Sequence, residues 1–111
     1  MLTAFVGSNS LRGSQGIYTL AIDEHTAEMK IVRTIPAENS SYLCIDKDEK
    51  HLYATIESNS FHGIDGGGVS AYQIDEDGNL TFINEQPTYG KLPCYVDVES
   101  DYLYVSNYGE G

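Results

Sequence analysis

The sequence is poor in several residue types, and each shortage excludes a class of partner or of structure. It has no Trp, only two Cys and three Pro, and six Lys and Arg against 17 Asp and Glu, which gives a net charge of −11 over 111 residues. This charge repels nucleic-acid phosphates and anionic lipid, so we expect neither nucleic acid nor a membrane as a partner. No apolar run approaches the ~20 residues of a membrane span, and no signal peptide is visible. The two cysteines are too few for a disulfide scaffold, although one bridge between them stays open, and we expect a cytoplasmic protein.

Internal repetition is the strongest signal in the sequence. Five segments recur in the same order with a common period of about 51 residues and small loop insertions. The matches pair 5–9 with 55–59, 16–23 with 68–75, 29–32 with 80–83, 41–46 with 94–99 and 51–57 with 102–108. The chain is therefore built from one repeating structural unit.

One period contains four strand-like runs, at 41–46, 51–57, 68–74 and 80–85. These runs are short and rich in β-branched residues, Leu and Tyr, and turn-forming residues separate them, whereas no segment holds a helical apolar spacing. Four strands per period of 40 to 50 residues is typical of β-propeller blades. Both faces of the central strands carry apolar side chains, as a blade with a neighbour on each side requires. The predicted fold class is all-β, with blades of four antiparallel strands.

Several motifs resemble the lactonase-type seven-bladed propellers, a family that includes propeller-type 6-phosphogluconolactonases and carboxymuconate cyclases. The more specific motifs are Asn-Glu-Gln-Pro at 84–87, Pro93-Cys94 and Asn-Tyr-Gly at 107–109. One departure is Tyr95, since the family pattern often has His after Pro-Cys. The resemblance implies hydrolysis of a sugar lactone such as 6-phosphogluconolactone. A non-catalytic propeller that binds partners or carbohydrate, and a muconate-type cyclase, are the alternatives.

The register predicts about two blades of an expected seven. Residues 1–36 would form three strands of the ring-closing blade, 37–87 one complete blade, and 88–111 the first two strands of the next. Because an open stack leaves apolar sheet faces and strand edges in water, we expect the missing blades to come from the rest of a longer parent chain. Assembly of a ring from several copies is the rival interpretation. The fragment alone is expected to be inactive.

Candidate site residues lie in or directly beside the loops at 9–15, 36–40, 58–67, 87–93 and 107–111, which propellers place on one face around the axis. His62 and Glu57 are the predicted catalytic pair, because an imidazole with a carboxylate can activate water. The predicted substrate-binding residues are Arg12, Lys91, Asn59, Asn107 and Tyr108. Simpler interpretations stay open: a solvated His62, solubilising cations at Arg12 and Lys91, and a turn-forming Asn107. We expect no metal and no cofactor.

Three further motifs are interpreted as structural rather than chemical. The glycine-rich stretch at 63–68 lacks a phosphate-loop ending and favours a hairpin. The Asp75–Asn79 segment favours a tight turn over a calcium site because its glycine is misplaced. Cys94 has no nearby His in the sequence and favours a small buried thiol over a nucleophile.

Overall fold

The computed structural model describes residues 1–109, and within this range every regular element is a strand. The prediction of an all-β fold is confirmed. The strands are β1 (Leu2–Val6), β2 (Gly16–Ile22), β3 (Met29–Pro36), β4 (Leu43–Ile45), β5 (His51–Ile56), β6 (Ser60–Phe61), β7 (Ile64–Asp65), β8 (Gly68–Ile74), β9 (Leu80–Pro87), β10 (Pro93–Glu99) and β11 (Tyr102–Asn107). Residues 1–109 contain no helix long and apolar enough to cross a membrane.

The strands form antiparallel sheets whose order follows the chain. One sheet has three strands in the order β1-β2-β3, the next has four in the order β4-β5-β8-β9, and β10 pairs with β11. The four-stranded sheet confirms the predicted blade, with a short first strand and a fourth strand that extends to Pro87. A separate hairpin of β6 and β7 is inserted between β5 and β8, where the glycine-rich stretch at 63–68 predicted a hairpin. The place of each sheet in a closed ring stays a prediction.

The repetition extends from the amino-acid sequence to irregularities of the backbone. A register shift between Thr19 and Leu20 in the first sheet recurs between Ala71 and Tyr72 in the second. Left-handed residues other than glycine also recur at matching positions: Asn39 (φ 46°) with Leu92 (φ 55°), and Glu49 (φ 59°) with Ser100 (φ 53°). The blades therefore share their turns and bulges as well as their strands.

The core lies between the three-stranded and four-stranded sheets. Its buried members are Ile17, Leu52, Ala54, Tyr72 and Leu80. Leu52 and Ala54 occupy one face of β5, as expected, and are fully shielded from solvent. Thr55, on the other face of β5, is also fully buried, on a strand that β10 contacts. A strand covered on both faces is what a blade between two neighbours requires.

Candidate functional site

Loops from successive sheets meet at one face of the molecule, which we call the connector face (residues 7–15, 39–42, 57–59, 65–67, 88–92 and 107–109). Asn39 exchanges hydrogen bonds with Ser10: the Ser10 N–H donates to Asn39 Oδ1 at 3.0 Å, and the Asn39 N–H donates to Ser10 Oγ at 2.9 Å. The carbonyl of Asn39 also accepts the N–H of Glu57 at 3.1 Å. The first two sheets are therefore tied together at this face.

The same arrangement recurs one repeat later. Leu92, the match of Asn39, donates its N–H to the carbonyl of Ser58 at 3.1 Å and accepts the N–H of Tyr108 at 2.9 Å. The predicted loop at 107–111 lies on this face as far as Gly109, and its residues 110 and 111 fall outside the described residues. The loops predicted to surround the axis thus form one hydrogen-bonded series.

Two glycines allow the loops of the connector face to approach each other closely. The N–H of Gly67 donates to the carbonyl of Gly90 at 2.8 Å. A Cβ on Gly67 would lie 2.4 Å from Cδ of Pro93, and a Cβ on Gly90 would lie 2.4 Å from Nδ2 of Asn107. The glycine-rich stretch therefore serves a hairpin and close packing, which confirms the structural interpretation of this motif.

Several predicted substrate-binding residues come together on the connector face. Lys91 Nζ lies 3.6 Å from Oδ1 of Asp65, and the carbonyl of Asn59 accepts the N–H of Gly66 at 2.8 Å. Asn107 packs against the loop at 88–92, and within residues 1–109 its buried Oδ1 has no hydrogen-bond partner. Tyr108 is exposed and hydrogen-bonds the same loop through its backbone.

Arg12 lies on the loop between β1 and β2, in the first of the three sheets. The loop is joined to the rest of the face through the Ser10–Asn39 hydrogen bonds, and the Arg12 side chain is exposed. The connector face therefore presents two cations on a chain that has only six Lys and Arg in total.

His62 is placed differently from the predicted arrangement. Its Nε2 lies 2.5 Å from Oε1 of Glu85 on β9, so the carboxylate that it contacts is Glu85 and not Glu57. The β6–β7 hairpin turns toward the outer strand because Phe61 packs against Gly68 at the start of β8. The catalytic role of His62 and Glu57 stays a prediction, but the two residues do not form the predicted pair.

The His62–Glu85 pair borders an open groove of about 670 Å³ between the first two sheets. Its side chains include Glu38, Phe61 and Phe82, and no Lys or Arg is present among its described lining residues. Two carboxylates without a cation make this groove unfavourable for an anionic ligand.

The structure reveals a pair of tyrosines that the sequence analysis did not select as site residues. The rings of Tyr42 and Tyr95 lie 4.7 Å apart between centroids at an angle of 43°, and the two residues are 40% and 43% exposed. Tyr42 directly precedes β4, and Tyr95 lies near the start of β10, the first strand of the next sheet. The repeat already aligned these positions, at 41–46 and 94–99, and this match was the available signal.

The tyrosine pair and His62 lie at opposite edges of the four-stranded sheet. Tyr42 precedes the edge strand β4, whereas His62 contacts β9 at the other edge, so three strand spacings, or about 14 Å, separate them. The edge at β4 is the one beside which β10 packs. In a propeller, the first strands of adjacent blades surround the central channel, so the tyrosines belong to the inner edge and His62 to the outer edge.

Acidic groups on the first strands influence the inner edge. Asp97 on β10, and next the neighbouring Tyr42, raise the pKa of the Tyr95 phenol. Burial, followed by the charges of Asp97 and Asp46, raises the pKa of Cys44 on β4 to about 11. Both groups are therefore protonated at neutral pH. Within residues 1–109, no group of three or more His, Cys, Asp and Glu residues is arranged to hold a metal ion.

The order of the sheets and the arrangement of the loops define part of a β-propeller. The chain belongs to the family of seven-bladed β-propeller lactonases, whose family model matches residues 3–111.

Named relatives and solved structures agree with this assignment. The chain is 35% identical over 96% of its length to a protein of Bacillus subtilis strain 168 named 6-phosphogluconolactonase, and it covers 30% of that protein. A Bacteroides fragilis crystal structure, of a candidate 6-phosphogluconolactonase, superposes with a TM-score of 0.88 at 32% identity over 97% of the chain and 30% of that structure. The structure of the periplasmic gluconolactonase of Pseudomonas aeruginosa superposes with a TM-score of 0.86 at 28% identity, over 96% of the chain and 31% of that structure. The chain thus spans about 30% of the length of the relatives that it matches.

Proposed function

We propose that the chain forms part of a seven-bladed propeller that hydrolyses a sugar lactone, with 6-phosphogluconolactone as the favoured substrate. The connector face carries this proposal, because it presents Arg12 and Lys91 on a lactonase-family chain with a net charge of −11. Arg and Lys bind phosphate or carboxylate groups through charge-assisted hydrogen bonds. The names of two relatives, from Bacillus subtilis and Formosa agariphila, support the phosphorylated substrate.

Hydrolysis of a lactone adds water to the carbonyl carbon and breaks the bond between that carbon and the ring oxygen. The reaction needs a base for the water and hydrogen-bond donors for the negative charge that develops on the carbonyl oxygen. We assign the phosphate end of the substrate to Arg12 and Lys91, and hydrogen bonds to the sugar hydroxyls to Asn59, Asn107 and Tyr108.

Two residues are candidates for the base, His62 and Glu57. His62 beside Glu85 has the chemistry of a base, but its groove lacks a cation for the phosphate. Glu57 lies on the connector face, where its backbone N–H contacts Asn39. We therefore propose that the reaction takes place on the connector face, with Glu57 available there and further groups supplied by other blades.

The test is opening of 6-phosphogluconolactone by the full-length protein that contains this chain. Arg12→Ala and Lys91→Ala should each raise KM about tenfold, as expected for loss of an ion pair with phosphate. Lys47→Ala, in the turn between β4 and β5 and away from the connector face, is the matched control and should leave KM unchanged.

The same assay separates the two candidate locations. His62→Ala should leave kcat within about threefold of the wild type; a loss of about a hundredfold would move the active site to the groove. Absence of lactone opening by the wild-type protein would refute the proposed function.

A second candidate function is carbohydrate binding without catalysis. The groove favours it, since an exposed Phe82 ring, the hydroxyl of Ser60 and the carboxylate of Glu38 offer an apolar face and hydrogen-bonding groups to a neutral sugar. Calorimetric titration of the full-length protein with neutral disaccharides tests this function. Binding of a disaccharide by a protein that opens no lactone would favour carbohydrate binding over catalysis.

The ring and its location are also proposals. Because the matched relatives are about three times longer, we propose that further blades of the same polypeptide complete the ring and that residues 1–111 alone are inactive. The solution mass of the full-length protein tests this, since a closed oligomer of short chains would contradict it. The expected cytoplasmic location is tested by cell fractionation, and one related structure is of a periplasmic enzyme.

A further inference from the structure

We propose that the groove between the first two sheets binds a small organic cation, an ammonium group on an apolar stem, with Glu38 and Glu85 as its counter-ions. This site is separate from the connector face, and the inference does not depend on the proposed lactone hydrolysis.

The first argument is the lining of the groove, which combines apolar and acidic side chains. Ile35 and Leu80 come from the two sheets that enclose it, and its volume of about 670 Å³ suits a small molecule. Leu80 is buried, whereas Glu38 is exposed and the Glu85 side chain is 32% exposed. A ligand here would bury an apolar stem and keep its polar group beside the two carboxylates.

The second argument is charge. No Lys or Arg is present among the described lining residues, and within residues 1–109 Glu38 takes part in none of the ion pairs. Arg33 on β3 donates instead to the carbonyl of Asp77 at 3.3 Å. His62 contacts Glu85, but its side chain is 69% exposed, so water screens this contact and an entering cation can replace it. The groove therefore offers negative charge to a ligand.

The third argument is the strand register, which places an aromatic ring beside Glu85. Phe82 on β9 pairs with Tyr72 on β8. Beyond a register shift, Glu85 pairs with Ser70, and Ile83 is the extra residue of this bulge. Because Tyr72 and Ser70 are two positions apart on β8, they share a face, and their partners on β9 share it too. A carboxylate and an aromatic ring therefore point from one face of β9 into the groove.

The fourth argument is the Phe82 ring itself. Its centroid lies 5.8 Å from that of Tyr72 at an angle of 67°, an edge contact that supports the ring, and yet Phe82 is 54% exposed. The face of an aromatic ring attracts a cation, so Phe82 adds to the attraction of the carboxylates.

The repeat shows that these side chains are not required by the fold. By strand register, Ile31 of the first sheet matches Phe82. Thr34 matches Glu85 in the same way. The first sheet thus forms the same bulge with neither an aromatic ring nor a charge at these positions, so both groups are available for binding in the second sheet.

The test uses three probes with the same six-carbon stem: hexylammonium, hexanol and hexanoate. Each is titrated at neutral pH into the full-length protein that contains this chain, and ligand-observed NMR gives the Kd. Hexylammonium should bind at least about fivefold more tightly than hexanol, because each exposed ion pair strengthens binding by up to about fivefold. Hexanoate should bind more weakly than hexanol, because the carboxylates repel it.

Two double variants assign the binding to the groove. Glu38→Gln with Glu85→Gln should weaken hexylammonium binding about tenfold and leave hexanol binding within about twofold. Glu49→Gln with Glu99→Gln removes the same charge at exposed positions outside the groove, so it is the matched control and should change the Kd by less than about twofold. Thermal melting checks that both double variants are folded.

Two single variants test the aromatic ring and the competing imidazole. Phe82→Leu keeps an apolar side chain, so it should weaken hexylammonium binding about threefold without weakening hexanol binding. His62→Asn suits the left-handed backbone at this position (φ 48°) and removes the imidazole from Glu85. It should strengthen hexylammonium binding about twofold, and weaker binding would contradict the role given to Glu85.

Several results would overturn the inference. Equal Kd values for hexylammonium and hexanol would show that the carboxylates hold no cation. An equal loss of binding in the two double variants would mean that the net charge of the protein, and not the groove, attracts the probe. Tighter binding of a neutral disaccharide than of hexylammonium, lost in the Glu38→Gln and Glu85→Gln double variant, would assign the groove to a sugar. None of these results bears on lactone opening, which the connector-face variants test separately.

Discussion

Cys44 offers a direct measurement of the electrostatics at the inner edge. Burial and the charges of Asp97 and Asp46 raise its pKa from 9.0 to about 11. At pH 8 this shift lowers the thiolate fraction about 100-fold, and the greater nucleophilicity of a more basic thiolate recovers about 8-fold of that loss. We therefore expect Cys44 to react with iodoacetamide about ten times more slowly than an unperturbed thiol at pH 8.

The assay is alkylation of the native protein from pH 7 to 11, with peptide mass spectrometry to follow Cys44 by itself. The rate should keep rising to the highest pH instead of levelling near pH 9. In the Asp97→Asn variant the pKa of Cys44 should fall but stay above 9.0, because burial is a larger cause of the shift than the charge of Asp97. If Cys44 is alkylated at pH 8 as fast as an unperturbed thiol, and its rate levels off above pH 9, the burial and the negative potential described for this edge are refuted.

Three further predictions concern stability. Leu52→Ala removes a fully buried side chain from the core and should lower the free energy of unfolding by about 3 kcal/mol in urea titrations; an unchanged midpoint would contradict the described packing. Hydrogen bonds from Asn79 lower the pKa of Asp75, so the carboxylate contributes stability above pH 3.8 that is lost as the pH falls through the lower folded value. The Tm of Asp75→Asn should therefore fall less between pH 6 and pH 3 than the Tm of the wild type. An equal fall in both proteins would count against these hydrogen bonds. Gly67→Ala should cost about 2 kcal/mol or more, because its Cβ would lie 2.4 Å from Pro93; wild-type stability in thermal melts would show that the loops are not so close.

Much of the fold follows from local pattern. The repeat and the alternation of Leu52, Ala54 and Ile56 predicted the four-stranded sheet, because strand formation and the burial of apolar faces depend on neighbouring residues. The Asp75 turn was predicted for the same reason: its carboxylate accepts N–H groups from Asp77 and Asn79, a local arrangement that the sequence specifies.

The candidate site was harder to predict because distant contacts determine it. His62 is separated by 23 residues from Glu85, and Phe61 packing on Gly68 sets the direction of the hairpin that carries it. Nothing within the loop at 57–67 specifies whether it leans toward Glu57 or toward the outer strand.

The tyrosine pair shows a different limit. The repeat placed Tyr42 and Tyr95 at equivalent positions, but that equivalence alone does not show that the two rings touch. The contact depends on how closely the first strands of adjacent sheets approach, which is a property of the stacked sheets.

The left-handed residues shared by the two blades have a consequence for how such proteins diverge. Asn39 suits a positive φ, whereas Leu92 at the matching position does not, and the same turn is made by both. The backbone conformation at this corner is thus determined by the stacking of the sheets and not by the residue type at the position. Within this chain, the matching backbone angles therefore show the relation between the two blades at a position where their residues differ.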